Sequence, residues 1–276
     1  MIFIGEINTK PKHGSRIARS LRAMKIVFEC YDLLSAHQLI NRGYANFWLS
    51  GLTNSVHRGF PDNGSLGYQL LADLCGDIKD RFDEATVFLD GDDGYGDVAG
   101  LVDYCERRHM DAIALEDKSG PKVNSFSDQC QTQIDVNGYI DKIKCFKDTA
   151  QTVKLISRCE SLILGQTPAQ AAERVNTYIE CGADMVFVHA KDSDEAKVIE
   201  VLEQIDRSVE VVICPTTYRP IKSRNMVDYL IMANQLTRVQ HKATLQFLEE
   251  IENDPLVAWS PDVVCDVKDL LEVWPS

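Results

Sequence analysis

Short apolar runs alternate with helix-like segments along most of this chain. The runs are three to five residues long and rich in β-branched, aromatic and other apolar residues, which is typical of buried strands. The segments between them carry apolar residues at spacings of three and four, which indicates amphipathic helices. Eight such runs occur, at residues 24–28, 46–49, 85–89, 112–115, 153–156, 185–188, 211–213 and 229–232.

This alternation predicts an α/β fold, a (β/α)8 TIM-type barrel with one parallel sheet. Nearly every run ends in a polar or charged residue, and parallel barrels carry their active sites at the carboxyl ends of the strands. We expect one domain over residues 1–276, with a C-terminal helical extension from about residue 236. The residues expected around the mouth of the barrel are Ser50, Asp90, Asp92, Glu116, Arg158, His189, Thr216 and Asn234.

Local signals refine this outline. Thr167 and Pro168 are a typical helix start, and the helix should run to about Gly182. Ser193 is predicted to cap the next helix. The polar stretch 119–137 is far longer than most connections, which favours a functional loop. Residues 14–21 are basic and weakly helical, and we expect them to form an arm over one end of the fold.

The third run stops at an acidic stretch, in which Asp90, Asp92 and Asp93 lie within four residues. Carboxylates so close together repel one another unless a cation or water lies among them. A hard metal site and a solvated acidic turn are therefore both open interpretations. The net charge of -13 and pI of about 4.9 argue against nucleic acid or an anionic membrane as a partner. An anionic substrate would need local cations or a metal.

Other features of the composition indicate the cell compartment in which the protein works. No apolar run approaches membrane-spanning length, and the first residues do not have the pattern of a secretory signal. The nine cysteines are dispersed and have no zinc-site spacing. We therefore expect free thiols in a reducing compartment and a cytoplasmic protein.

Several candidate residues also have ordinary structural explanations. Glu116 could simply pair with Lys118, and Asp62 lies in a Pro-Asp-Asn-Gly turn where aspartate is common. A histidine such as His189 is more often a hydrogen-bonded core residue than a catalytic one. Arg158 is harder to explain in this way, because an unpaired guanidinium at the edge of a core is costly.

A series of short motifs runs along the chain. The motifs are Tyr31-Asp32-x-x-Ser35-Ala36, Trp48-x-Ser50-Gly51-Leu52, Asp90-x-Asp92-x-Gly94-Tyr95-Gly96, Glu116-Asp117-Lys118, Asn124-Ser125, Arg158, Gly182-Ala183-Asp184 and His189. Taken together, they resemble the phosphoenolpyruvate mutase/isocitrate lyase superfamily, from about residue 12 to residue 255. Lyases of that superfamily carry a loop cysteine as acid/base, whereas the loop EDKSGPKVNS here has neither cysteine nor histidine. This loop is similar to the mutase signature of Glu-Asp-Lys, five residues, then Asn-Ser.

The resemblance implies an isomerase that interconverts phosphoenolpyruvate and phosphonopyruvate with Mg²⁺ as cofactor. By similarity, Asp90 would bind the metal directly, and Asp62, Asp92 and Glu116 would bind it through water. Lys122 and Asn124 would form the gate of a mobile loop. The implied catalytic residues are Asp62, Lys122, Asn124, Arg158 and His189, and the implied substrate-binding residues are Trp48, Ser50, Gly51, Leu52, Asn124, Ser125, Arg158 and His189.

Three alternatives remain open at this stage. Phosphonopyruvate hydrolase shares nearly every motif and is expected to differ where Asn124 stands. A carbon–carbon lyase is disfavoured by the missing loop cysteine, and a non-catalytic barrel is disfavoured by the complete set of acids. Gly120 and Asp93 depart from the pattern of the relatives, which carry a larger apolar residue and threonine there. The resemblance also implies a homo-oligomer, a dimer or a tetramer that exchanges a C-terminal helix.

Overall fold

The computed structural model describes residues 24–274, so the basic segment 14–21 lies outside the described residues. Eight strands form the barrel, and two further strands of two residues each form a small antiparallel sheet. The barrel strands are β1 (Lys25–Glu29), β2 (Asn46–Leu49), β3 (Thr86–Asp90), β4 (Ala112–Glu116), β7 (Lys154–Cys159), β8 (Met185–Val188), β9 (Glu210–Ile213) and β10 (Tyr229–Met232), and the short strands are β5 (Lys118–Ser119) and β6 (Thr132–Gln133).

All eight barrel strands are parallel, and the sheet closes in the order β1, β10, β9, β8, β7, β4, β3, β2. The predicted (β/α)8 barrel is therefore confirmed. The register of β4 and β7 places Glu116 opposite Arg158. Closure brings the carboxyl ends of all strands to one mouth, as the sequence predicted.

Helices connect the strands and cover the outside of the barrel. The helix after β7 begins as predicted, because Thr167 and Gln170 form a reciprocal capping box and Pro168 occupies the first turn. The helices are α1 (Leu33–Ile40), α2 (Gly51–His57), α3 (Tyr68–Lys79), α4 (Val98–Glu106), α5 (Val136–Thr149), α6 (Pro168–Glu180), α7 (Ala196–Gln204), α8 (Gln235–Asn253) and α9 (Val267–Leu271), with 3-10 helices at Ser223–Met226 and Pro255–Trp259.

Alternate residues of each strand face two separate apolar layers. In β2, Phe47 and Leu49 belong to the large cluster between strands and helices, whereas Trp48 belongs to the cluster inside the barrel. Strands that are buried on both faces read as continuous apolar runs, which explains why the runs could be found in the sequence. The apolar interior fills the barrel, and the polar residues collect at its mouth.

Three local expectations differ from the structure. Ser193 does not cap α7, which begins at Ala196 with Glu195 at the N-cap position and Asp194 accepting a hydrogen bond from the Ala196 N–H. Helix α2 was not predicted, because its buried residues include Asn54 and other polar side chains, which leave no apolar periodicity. The loop 119–137 is also not wholly irregular, since it contains β6.

Helix α8 and the segments after it differ from the rest of the fold in how much apolar surface they expose. Helix α8 has no buried residue, and large apolar side chains remain exposed along it and beyond it, including Leu245, Leu248, Leu256 and Trp259. Contiguous apolar surface of this kind usually marks an interface. No helix among residues 24–274 combines the length and the apolar character that a membrane crossing requires.

Candidate active site

A pocket opens at the mouth of the barrel and is lined by residues from six barrel-strand ends and from the loop after β5. Ten of the predicted site residues line it, and Gly51, Asp92 and Glu116 contact residues of this set. The structure therefore brings all predicted site residues together. The lining residues are Trp48, Ser50, Leu52, Asp62, Asp90, Lys122, Asn124, Ser125, Phe126, Arg158, Phe187, His189, Cys214, Thr216, Ala233 and Asn234.

The acidic stretch after β3 is buried, so the solvated-turn interpretation is wrong. Asp90 is 8% exposed and Asp92 is 2% exposed. Gly91 packs closely against β4, and a Cβ there would lie 2.5 Å from a side-chain carbon of Ile113. Asp92 adopts a left-handed backbone conformation with φ of 46°. Such conformations are strained for residues other than glycine and concentrate at functional sites.

The loop between β5 and β6 is folded over this acidic group. Asn124 donates a hydrogen bond from Nδ2 to Asp62 Oδ2 at 2.6 Å. The Lys122 ammonium pairs with Asp92 and lies 3.7 Å from Asp62 Oδ1. Gly120 has φ of +90°, a conformation that side chains disfavour, so this lid conformation favours glycine at that position. We call residues 119–131 the lid.

Lys118 holds the lid in place through hydrogen bonds. Its ammonium donates to the backbone oxygen of Val123 at 2.9 Å, to Ser125 Oγ at 3.1 Å and to Gln131 Oε1 at 3.0 Å. It also lies 3.3 Å from Glu116 Oε2. The ordinary pairing of Glu116 with Lys118 is thus present. Because Lys118 is buried, however, the pair forms part of the site rather than a surface ion pair.

On the opposite side of the pocket, Arg158 contacts several groups at once. Its Nη1 donates to Asp90 Oδ1 at 2.9 Å and its Nη2 to Ser125 Oγ at 3.1 Å. The guanidinium lies over the Phe187 ring, 5.3 Å from the ring centroid, and 3.6 Å from Glu116. The predicted cost of an unpaired arginine is therefore met by carboxylates on both sides of the fork.

Glu160 is a site residue that the sequence analysis missed. It is completely buried and accepts hydrogen bonds from Arg158 Nε at 2.5 Å, His189 Nδ1 at 2.7 Å and Ser125 Oγ at 2.7 Å. Burial by itself raises the pKa of Glu160, but Arg158 and His189 outweigh it, and the pKa lies well below its usual range. Strand alternation could have found it, because residues two apart face the same side.

His189 is both a buried, hydrogen-bonded histidine and a pocket residue. Burial lowers its pKa, and the charge of Glu160 acts in the opposite direction. The rings of Phe126 and Phe187 lie edge-on or tilted beside the imidazole, at centroid distances of 5.5 and 5.4 Å. His189 Nδ1 lies 2.7 Å from Glu160 Oε1 and 3.2 Å from Arg158 Nη2. Because the shorter contact is to an ionised carboxylate, which can only accept, the neutral ring carries its proton at Nδ1 and presents Nε2 as its other nitrogen.

The third wall of the pocket is the start of α2. Ser50 caps this helix and accepts a hydrogen bond from the Thr53 N–H. The Gly51 N–H points to Asp90 Oδ2 at 3.4 Å. An added Cβ at Gly51 would lie 3.6 to 3.7 Å from Asp62, Asp92 and Lys122, so this glycine lies directly beside the acids.

The acids fit a hard divalent cation. Asp62, Asp90, Asp92 and Glu116 offer carboxylate oxygens, which Mg²⁺ prefers, and Glu116 Oε2 is buried without a hydrogen-bond partner. Burial raises the pKa of Glu116 to about 8, although Arg158 and Lys118 favour its charged form. Within residues 24–274, no three or more acids, histidines or cysteines are arranged as a direct ligand cage. Mg²⁺ commonly binds through one or two carboxylates and keeps several waters, so a complete cage of side chains is not a requirement for this ion.

One cysteine lies in the pocket, but it does not come from the lid. Cys214 follows β9, and burial raises the pKa of its thiol to about 11. Cys130, the lid cysteine, is exposed and does not line the pocket. Neither thiol occupies the loop position that the carbon–carbon lyases use.

Comparison with known proteins identifies the relatives of this chain. Residues 18–252 match the family model described as phosphoenolpyruvate phosphomutase. A phosphoenolpyruvate phosphomutase of Tetrahymena pyriformis is 29% identical over 251 residues, which cover 87% of this chain and 83% of that protein.

Solved structures give the same picture. The crystal structure of phosphoenolpyruvate phosphomutase from Streptomyces platensis subsp. rosaceus is 27% identical and superposes with a TM-score of 0.85, covering 91% of this chain and 90% of its own. A phosphonopyruvate hydrolase solved with oxalate and Mg²⁺ is 21% identical, with a TM-score of 0.81 and coverage of 91% and 89%. The second similarity concerns the fold.

Proposed function

The chain belongs to the phosphoenolpyruvate phosphomutase family, and we propose that it is a phosphoenolpyruvate mutase, an isomerase that interconverts phosphoenolpyruvate and phosphonopyruvate. The observation that carries the proposal is Asn124, which the lid holds over the acids through Asp62. It occupies the loop position at which the hydrolase is expected to differ. The reaction forms a carbon–phosphorus bond, which assigns the protein to phosphonate biosynthesis.

The reaction needs no second substrate. The bond between phosphorus and the enol oxygen breaks, a bond between phosphorus and C3 of the same molecule forms, and the C2–O bond becomes a carbonyl. Phosphoryl transfer of this kind passes through a loose, metaphosphate-like state. The work of the protein is therefore to hold both reacting parts in place, stabilise charge and exclude water.

The two sides of the pocket suit the two ends of the substrate. Arg158 and His189, together with Asn124 of the lid, would hold the phosphoryl oxygens. The N–H groups near Ser50, Gly51 and Leu52 would bind the carboxylate beside Trp48. This division is supported by the cationic character of the first side and by the backbone donors of the second.

We propose Mg²⁺ as the cofactor, with Asp90 as its direct ligand and Asp62, Asp92 and Glu116 holding its water. When bound, the ion would supply positive charge to the carboxylate and enolate oxygens of the substrate. Two cations already lie beside these acids, since Lys122 pairs with Asp62 and Asp92 and Arg158 pairs with Asp90.

Exclusion of water separates the proposed mutase from the runner-up, a phosphonopyruvate hydrolase. A water molecule that reached the phosphoryl group during transfer would give inorganic phosphate and pyruvate. The lid opposes this, since Lys122 and Asn124 both reach into the pocket while Lys118 holds the lid backbone. The closed lid therefore favours the mutase.

The test compares products rather than rates alone. Wild-type protein is incubated with phosphonopyruvate and Mg²⁺, and phosphorus NMR should show phosphoenolpyruvate. Asn124→Ala should lose the mutase reaction while circular dichroism remains unchanged, because the side chain contacts only its neighbours in the loop and Asp62. Ser127→Ala, at a lid residue that does not line the pocket, is the matched control and should retain activity. Full mutase activity in Asn124→Ala would contradict the assignment.

The exposed apolar residues of the C-terminal segment support a homo-oligomer, a dimer or a tetramer. Leu256 is 74% exposed and Trp259 is 77% exposed. We propose that α8 and the following segment pack against a second copy of the chain by helix exchange. Light scattering should give a mass above that of one chain, and Leu256→Glu combined with Trp259→Glu should lower it.

A further inference from the structure

A single buried carboxylate, Glu160, connects the cationic side of the pocket to the lid. Its Oε1 receives Arg158 Nε and His189 Nδ1, and its Oε2 receives Ser125 Oγ. Lys118 lies 3.8 Å from the same Oε2. Two groups proposed to hold the phosphoryl oxygens and one lid residue therefore share one anionic partner.

The Ser125 hydroxyl completes this connection. It accepts from Lys118 Nζ and from Arg158 Nη2, both at 3.1 Å, and donates to Glu160 at 2.7 Å. A hydroxyl can accept two hydrogen bonds and donate one, so the group is fully used. Because Ser125 belongs to the lid, this arrangement connects the lid conformation to Glu160 and Arg158.

The backbone of Glu160 is held as firmly as its side chain. Its N–H donates to Asp117 Oδ1 at 2.8 Å, and Asp117 also accepts from Tyr178 and Gln133. Asp117 is completely buried. The position of the Glu160 carboxylate is thus fixed by a second layer of buried hydrogen bonds, as is common for groups that orient a reactive side chain.

We propose that Glu160 is a positioning residue that orients Arg158 and sets the tautomer of His189. The hydrogen-bonded group is complete only when the lid is closed and Ser125 bonds to Glu160. The proposal rests on the proposed function for its activity readout. Glu160 does not touch the pocket itself, and it acts through the two residues that do.

The tautomer has a consequence for binding. With Nδ1–H directed to Glu160, the Nε2 of neutral His189 has a lone pair, which a phosphoryl oxygen would repel. Binding of a dianionic phosphoryl group then requires proton uptake at Nε2, and the charge of Glu160 stabilises the resulting imidazolium. The charged groups that face His189 are Glu160, Arg158 and Lys118, and only the first favours protonation.

Glu160→Gln tests this with the pH profile of kcat/KM for phosphonopyruvate. We expect kcat/KM to fall roughly 10- to 100-fold, as for other residues that orient a ligand-binding group. We also expect the alkaline limb of the profile to move to lower pH by roughly one unit, because His189 loses the charge that raises its pKa. Glu160→Asp retains the charge and should restore the position of the limb, although not the full rate.

A lower rate with an unmoved alkaline limb in Glu160→Gln would reduce Glu160 to a structural residue and overturn the proposal. A second measurement needs no variant of Glu160. Nitrogen NMR of histidine-labelled wild-type protein, assigned by comparison with His189→Gln, should show neutral His189 protonated at Nδ1. Protonation at Nε2 instead would also overturn it. If the wild type had no activity, the proposed function would fail while this measurement still decided the role of Glu160.

Discussion

The two ends of the barrel both carry carboxylates, but they hold them in different ways. At the amino-terminal end, three aspartates each stand immediately before a strand and accept the backbone N–H of a residue in the strand that precedes it in the chain. The pairs are Asp111 with Val87, Asp184 with Leu155, and Asp228 with Val211. The same aspartate-to-backbone hydrogen bond thus occurs at the start of β4, β8 and β10.

The aspartates of the amino-terminal end are partly solvated and locally satisfied. The side chain of Asp111 is 37% exposed and pairs with Lys79, and that of Asp184 is 30% exposed and pairs with Lys147. At the mouth, the side chains of Asp92 and Glu116 are only 3% and 2% exposed. The charged partner of Asp92 is Lys122 of the lid, and those of Glu116 are Lys118 and Arg158.

The difference in burial and in partners distinguishes the acids that stabilise the fold from those that form the site. An aspartate bonded to a backbone N–H stabilises one strand start and can be replaced at modest cost. Buried charges that depend on one another are costly to keep unless function requires them, because removal of any partner leaves the others uncompensated. The mouth of the barrel is therefore where single substitutions should have large and connected effects.

The largest effect is expected for Asp90→Ala. Asp90 receives Arg158 Nη1 and the Gly51 N–H, and it is the proposed direct metal ligand. We expect kcat/KM to fall by at least about 10²- to 10³-fold, since both the metal and the arginine lose their partner. A steady-state assay of phosphoenolpyruvate formation at several Mg²⁺ concentrations measures this. Activity that survived and still depended on Mg²⁺ would contradict the assigned ligand.

Lys118→Met should have the largest effect on stability. The ammonium has five partners, including Glu116 and Glu160, and its loss leaves buried negative charge. We expect the free energy of unfolding to fall by about 3–5 kcal/mol in urea titrations. Lys144→Met is the matched control, because Lys144 is exposed and pairs only with Asp141, and it should change stability by less than about 1 kcal/mol. Equal losses of unfolding free energy in the two variants would contradict the distinction between the buried and the exposed lysine.

Gly120→Ala tests the lid without touching the acids. No atom of residues 24–274 would lie within 4 Å of the added Cβ, so the cost comes from the backbone at φ of +90°. We expect closure to be disfavoured by about 1–2 kcal/mol, which opens the lid roughly 5- to 30-fold more often. Cleavage by trypsin after Lys122 should accelerate accordingly while the melting temperature barely changes. Unchanged cleavage would show that Gly120 does not control the lid.

The smallest effect is expected at the other end of the barrel. Asp184→Ala removes the partner of Leu155 N–H and of Lys147, and we expect a loss of about 1 kcal/mol in unfolding free energy. Steady-state kinetics should remain within about twofold of wild type, because the bottom of such a barrel serves stability. A large loss of activity would mean that the two ends are coupled.

The barrel could be predicted from the sequence because its strands are buried on both faces. Three runs, 46–49, 185–188 and 229–232, match strands residue for residue, and the other five differ by a few residues at their ends. Helix α2 could not be predicted in this way, since its buried face is polar. Strands β5 and β6 are two residues long, and such elements depend on tertiary contacts rather than on any periodic pattern.

The site was predictable to the extent that it follows strand ends. Asp90, Glu116, Arg158 and His189 each follow or end an apolar run, and parallel closure brings such positions together. The approach of Lys122 and Asn124 to the acids depends on the closed lid, which sequence spacing does not encode. Glu160 was missed because its role follows from the residues it contacts, and these come from three segments that are separate in the sequence.

The central claim is that phosphorus migrates within one substrate molecule beneath a closed lid that excludes water. Phosphorus NMR of the wild-type protein with phosphonopyruvate and Mg²⁺, in water enriched in heavy oxygen, tests it most directly. The account predicts phosphoenolpyruvate whose non-bridging phosphoryl oxygens carry no heavy oxygen, with inorganic phosphate at the level of a protein-free control. Inorganic phosphate carrying heavy oxygen as the main product would contradict it.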